Sequence, residues 1–286
     1  MTTSGLTERF CASLFAIPQA ELAGDGARLF EAVWSRFPGA VESNATASVE
    51  AAAPVPAATD RSGSQHRAET AAFNNAFQFA RAQYTDGLRE KDISRQIVGV
   101  SIPVFSATAF AEARGNTYGE LCAAIGWGME AYQRLFRSLA ATAARKGFST
   151  HVVAGLLSGI VACGAMARLR SEQVARAIGL GCSAITAMAR GYLPIQAAMA
   201  TRDGTVMVTL VSCGFGAPPD VLACRWGIYE TFAAAADIAA LDLSTHRTTD
   251  IDALLRLFPD ALQNRMGPNV RQESSMVSAV LAEMLH

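Results

Sequence analysis

Between Val152 and Ala167 the chain runs VVAGLLSGIVACGAMA, an apolar stretch without a single charge. A bilayer crossing needs about 20 such residues, and this stretch is shorter. Its Gly, Ser and Ala residues leave room for neighbours on every side, so it predicts a helix from His151 to Leu169 buried at the centre of a globular protein. The next segment, VARAIGLGCSAITAMA, is almost as rich in small and apolar residues and predicts a second central helix, capped by Ser171 and reaching about Met188.

The rest of the chain supplies material to surround that pair. Hydrophobic residues make up 51% and charged residues 17% of the 286, enough for a large core. Helical spacing of apolar positions predicts short helices over Leu6 to Ile17 and Gly26 to Phe37, then helices over Thr70 to Tyr84 and Ile102 to Ala113. Thr117-Tyr-Gly-Glu120 has the form of a capping box opening a helix that runs to about Leu139. Thr201 to Cys213 contains β-branched residues that would suit a strand and is read as helix. Gly214 to Asp220 forms a turn, and two short helices follow over Asp250 to Phe258 and Glu273 to Leu285. Ser43 to Gln65, rich in Ala, Ser, Thr and Pro, reads as a loop or linker. The organisation is therefore N-terminal helices over 1–42, a linker over 43–65 and a helical domain over 66–286, all-α throughout.

Several functions are excluded at this level. Lys and Arg number 24 against 25 Asp and Glu, and no stretch gathers basic residues, which argues against nucleic acid as a partner. Six scattered cysteines and four histidines, with no Cys-x-x-Cys pair, predict reduced thiols, no metal and no cofactor. The N-terminus lacks the basic start and apolar run of a signal peptide, so a cytoplasmic protein without a membrane anchor is expected.

Certain strings are more specific. Gly147-Phe148 through Gly155, then Leu169-Arg-Ser-Glu-Gln-Val-Ala-Arg-Ala-Ile-Gly179, then Gly214-Phe215-Gly-Ala-Pro-Pro-Asp-Val-Leu222 and Trp226-Gly-Ile-Tyr-Glu-Thr-Phe232 follow one another in register. Upstream, Ala72 to Asp86 and Ile102 to Arg134 extend the pattern, so that Ala71 to Ala233 resembles the MmgE/PrpD family. That family includes 2-methylcitrate dehydratase, cis-aconitate decarboxylase and an iminodisuccinate epimerase. The resemblance implies a large helical domain, a homodimer and a small organic molecule as ligand. Family members carry an α/β lid after the segment similar to Trp226 to Phe232. Only 54 residues follow Phe232 here, so the lid is expected to be absent or vestigial.

The same resemblance locates the chemistry and shows where it has changed. The family's Asp-rich stretch falls on Gln83-Tyr84-Thr85-Asp86, its first His-Pro near Gln96-Ile97, and its second on Ser149-Thr150, with His151 two residues on. Its Lys-x-Leu-His string falls on Leu193-Pro194-Ile195-Gln196. Holding a polycarboxylate needs cations, and moving its protons needs a titratable group, and neither Gln nor Leu supplies these. Tyr84, Asp86 and His151 are therefore the candidate catalytic residues. Gln83, Gln96, Ser149, Arg190, Tyr192, Leu193 and Gln196 are candidates to line the substrate pocket. Arg202 and Asp203 read as a surface ion pair or a helix cap. The expected function is dehydration, isomerisation or cyclisation of a less anionic biosynthetic intermediate. The alternatives are a non-catalytic ligand carrier or partner subunit on the same fold, and the family reaction on a polycarboxylate.

Overall fold

A computed structural model describes residues 5–36, 57–59, 65–85, 91–185, 191–218, 220–232, 238 and 241–258. Ten helices form among these: α1 (Leu6–Phe15), α2 (Gln19–Ser35), α3 (Ala68–Thr85), α4 (Lys91–Arg114), α5 (Tyr118–Ala143), α6 (Thr150–Met166), α7 (Ser171–Gly181), α8 (Leu193–Ser212), α9 (Ile228–Phe232) and α10 (Ile251–Leu255). A two-stranded antiparallel ribbon, β1 (Ala57–Thr59) with β2 (Gln65–Arg67), pairs Ala58 with His66. The fold is all-α apart from this ribbon, which lies in part within the stretch read as linker. Its strands are three residues each, too short to show alternation in the sequence.

The apolar run does form the central helix. In α6 every residue from Val152 to Gly164 is buried, and α4, α5, α7 and α8 pack around it. Close approaches at small residues fix the directions. Gly99 of α4 lies against His151, Gly155 of α6 against Ile102, and Gly159 against Ser106, so α4 and α6 run parallel. Ser106 Oγ donates to the Thr201 carbonyl at 3.0 Å, and Gly204 of α8 meets both Ser106 and Gly159. Further along, Thr209 shares a cleft with Ala113 and Met166, which makes α8 parallel to the other two. Helix α5 runs the opposite way, with Gly128 opposite Ala162 and Tyr132 opposite His151. So does α3, whose first residues, Ala68 and Glu69, line the cleft at the ends of α4 and α6. The starts of α4, α6 and α8 thus share one pole of the bundle, and the ends of α4 and α6 mark the other.

Several boundaries differ from the sequence expectation. Helix α4 begins at Lys91, eleven residues before Ile102, and carries Pro103 inside it. Proline cannot return a hydrogen bond to the Gly99 carbonyl, so the helix loses one rung there. The window from Ile93 to Arg114 is long and apolar enough to cross a membrane, but 83% of it is buried inside the protein, as in a core helix. Ser171 is the first residue of α7 and not its cap. Arg170 takes that place, and its backbone N–H donates to Gln173 Oε1 at 3.0 Å. Helix α7 ends at Gly181 and passes into a 3-10 turn over Cys182–Ala184, short of Met188. Thr201 to Cys213 is helical as read, within the longer α8. The capping box at Thr117 and Glu120 is present with both hydrogen bonds. The expected helix over Glu273 to Leu285 lies outside the described residues. Of the six thiols, Cys11, Cys122 and Cys163 are buried, whereas Cys213 is exposed at the end of α8.

The segment after Phe232 contributes a strap rather than an α/β lid among the described residues. Arg134 of α5 is fully buried and donates to the carbonyls of Ser244 at 2.8 Å and His246 at 3.0 Å, and to Ser13 Oγ at 3.3 Å. Its partner Glu130, also fully buried, accepts from Arg134 at 2.9 Å and from the backbone N–H groups of Thr248 and Thr249. Burial by itself would raise the Glu130 pKa. The hydrogen bonds from Thr248 and Thr249 and the Arg134 charge outweigh it and hold the carboxyl below its ordinary value. Removing one member of such a pair leaves the other charge buried and unmatched, at a cost of about 3–5 kcal/mol. Arg134→Met should lower the unfolding free energy by about that amount in urea denaturation; a loss under about 1 kcal/mol would show that the strap is not held by this pair.

Candidate functional site

At the pole where α4, α6 and α8 begin, the structure gathers many of the residues singled out in the sequence. His151 stands eight residues before Gly159 on α6, and Gln196 stands eight before Gly204 on α8. Because Gly159 and Gly204 touch and the helices are parallel, both side chains lie about 12 Å up from the same contact. Gln96 precedes Gly99 by three residues and so lies on the stripe of α4 that faces His151.

His151 is the best defined of the group. Its Nδ1 lies 2.8 Å from the Tyr132 hydroxyl, and its ring stacks on Phe136 with centroids 4.5 Å apart. The backbone of α4 passes close beside it. A Cβ at position 99 would lie 2.8 Å from the Tyr132 oxygen and 2.9 Å from the His151 Cβ, so only glycine admits this arrangement. Tyr132 is fully buried, and desolvation raises its pKa, which keeps the phenol neutral. A neutral phenol can donate to Nδ1 of a neutral imidazole or accept from Nδ1–H of an imidazolium. It therefore orients the ring in both protonation states.

The candidate residues described around this pair are uncharged. Gln196 is 9% and Leu193 6% exposed at the start of α8, where Pro194 occupies the first turn. Tyr192 is the N-cap of α8 and half exposed. Ser149, 5% exposed, is the N-cap of α6, but its hydroxyl does not cap the helix and has no partner among the described residues. Gln83 is buried near the end of α3 and is tied to another element, since its Oε1 accepts from Arg36 Nη1 at 3.3 Å. Asp86 and Arg190, and the side chain of Tyr84, lie outside the described part of the molecule. Arg202 and Asp203 do pair, at 2.6 Å, yet Asp203 is 5% exposed, so this is not the surface pair expected. Desolvation raises the Asp203 pKa despite the opposing pull of Arg202. Among the described residues no three His, Cys, Asp or Glu side chains gather to hold a metal.

Sequence reasoning did not find Tyr132, Phe136 or Gly99. The signal for the first was present: a tyrosine within an apolar helix requires a partner for its hydroxyl, and Phe136 is four residues on, on the same face.

The fold and site together define an all-α helical domain whose polar residues collect where three parallel helices start. The family model for the MmgE/PrpD N-terminal domain matches residues 39–240, and the chain belongs to the MmgE/PrpD family. No curated protein matches the chain.

Tyr132→Phe should cost about 1 kcal/mol of stability and move the His151 ring resonances while those of His246 stay in place. Unmoved His151 signals would show that the pair does not exist in solution.

Proposed function

We propose that the chain is an enzyme of the MmgE/PrpD type whose pocket has become neutral, acting on a less anionic organic molecule by dehydration, isomerisation or cyclisation. The observation that carries this reading is the His151–Tyr132 pair at the pole that also holds the uncharged Ser149, Gln96, Leu193 and Gln196; the resemblance to the family implies cations and histidines at several of these positions. In this reading Nε2 of His151 takes or gives a proton next to a carbonyl, and Tyr132 positions the ring without carrying charge itself. The hydroxyl of Ser149, without a partner among the described residues, offers a hydrogen bond to a neutral oxygen. Leu193 supplies an apolar wall in place of the family's lysine. Positioning of this kind contributes to the rate through orientation even without a strong electrostatic clamp.

The test is proton NMR in D₂O with the full chain and a panel of neutral β-hydroxy ketones and their enones. Water loss, water addition or deuterium exchange at the carbon beside the carbonyl is expected, and His151→Asn should reduce it by about 10²-fold or more. Exchange that survives His151→Asn would remove the proposed role of that residue. Specific binding without turnover would favour the ligand carrier.

A further inference from the structure

We infer that the cleft at the opposite pole, where α4 and α6 end, is a second ligand site, for a small carboxylate on an apolar body. The cleft is open to solvent on one side and has a volume of about 650 Å³, a size that suits a metabolite. It lies fifteen residues along α6 from His151, about 22 Å by helical rise, so it is separate from the site described above. Its walls come from the start of α3, the ends of α4 and α6, the first turn of α5 and Thr209 of α8.

The charges there are unevenly matched. Glu120 accepts from Arg168 at 2.8 Å and also serves the capping box, and with those bonds its pKa is held down at about 2. Glu69 has Arg67 at 3.9 Å. Arg114 is different, because its guanidinium lies over the Phe110 ring at 4.7 Å and has no carboxylate or hydrogen-bond acceptor among the described residues. A cation suits the last turn of α4 electrostatically, and because Arg114 is exposed its donors are open to solvent on the cleft wall, where a ligand can reach them. A planar guanidinium on an aromatic face is a ready partner for a carboxylate, with two parallel hydrogen bonds.

The remaining lining fixes the rest of the ligand. Phe110, Ala113, Met166 and Ala167 give an apolar floor beside Arg114. In the same wall Asn116 donates through Nδ2 to the Met166 carbonyl at 3.3 Å and to Glu120 at 3.5 Å, while its buried Oδ1 has no donor among the described residues. The combination selects one negative charge next to an aryl or branched alkyl group. It does not suit a polyanion, which would face Glu69 and Glu120 as well.

Saturation-transfer NMR of the full chain with phenylacetate tests the site, with phenylacetamide as the uncharged match. Phenylacetate should bind in the millimolar range or tighter, and both the amide and the exposed-site variant Arg114→Met should weaken binding about tenfold. His151→Asn should leave it unchanged, so the outcome is independent of the proposed reaction. Equal binding by Arg114→Met or by the amide, or no binding up to about 10 mM, would overturn the inference.

Discussion

The parallel contact of α4, α6 and α8 is the constraint on which the rest depends. Helices joined by short turns pack most simply as antiparallel neighbours, so three parallel ones require α5 and α7 to return the chain between them. The contact is close only because Gly155, Gly159 and Gly204 leave no side chain at the crossing with Ile102 and Ser106. Its consequence is a pole at which three helices begin together. In this chain Gln96, His151, Ser149, Leu193 and Gln196 fall there.

The buried Glu130–Arg134 pair plays a separate part. Its donors and acceptors are used up by the strap over residues 242–249, so the charges fasten the chain after Phe232 to the back of α5. Tyr132, the partner of His151, is two residues from Arg134 and so points to the opposite side of α5. One helix therefore carries a structural ion pair on one face and the positioning hydroxyl on another.

What was legible in the sequence was local. The uncharged run of α6 and the Thr117–Glu120 capping box can be read from a few adjacent residues, and both hold. The start of α4 could not be read that way, because Pro103 and the polar residues before Ile97 resemble a loop until α6 and α8 cover their apolar face. The same holds for the ribbon, where Ala57–Thr59 becomes a strand only through its pairing with Gln65–Arg67. Of the candidate site, the resemblance named His151, Ser149, Gln96, Leu193 and Gln196, and these lie near the starts of α4, α6 and α8. It could not reveal Tyr132, since the 2.8 Å contact depends on the antiparallel packing of α5 on α6. Gln83, read as a residue lining the substrate pocket, accepts from Arg36 at the end of α2, a contact that only the tertiary fold creates.

The central claim is that this pole no longer handles multiple negative charges. Isothermal titration of the full chain with cis-aconitate measures it most directly. The neutral lining predicts no saturable binding below about 1 mM. Micromolar binding that is lost in Gln196→Ala would contradict the claim, because the tricarboxylate would then be held at this pole without the family's cations.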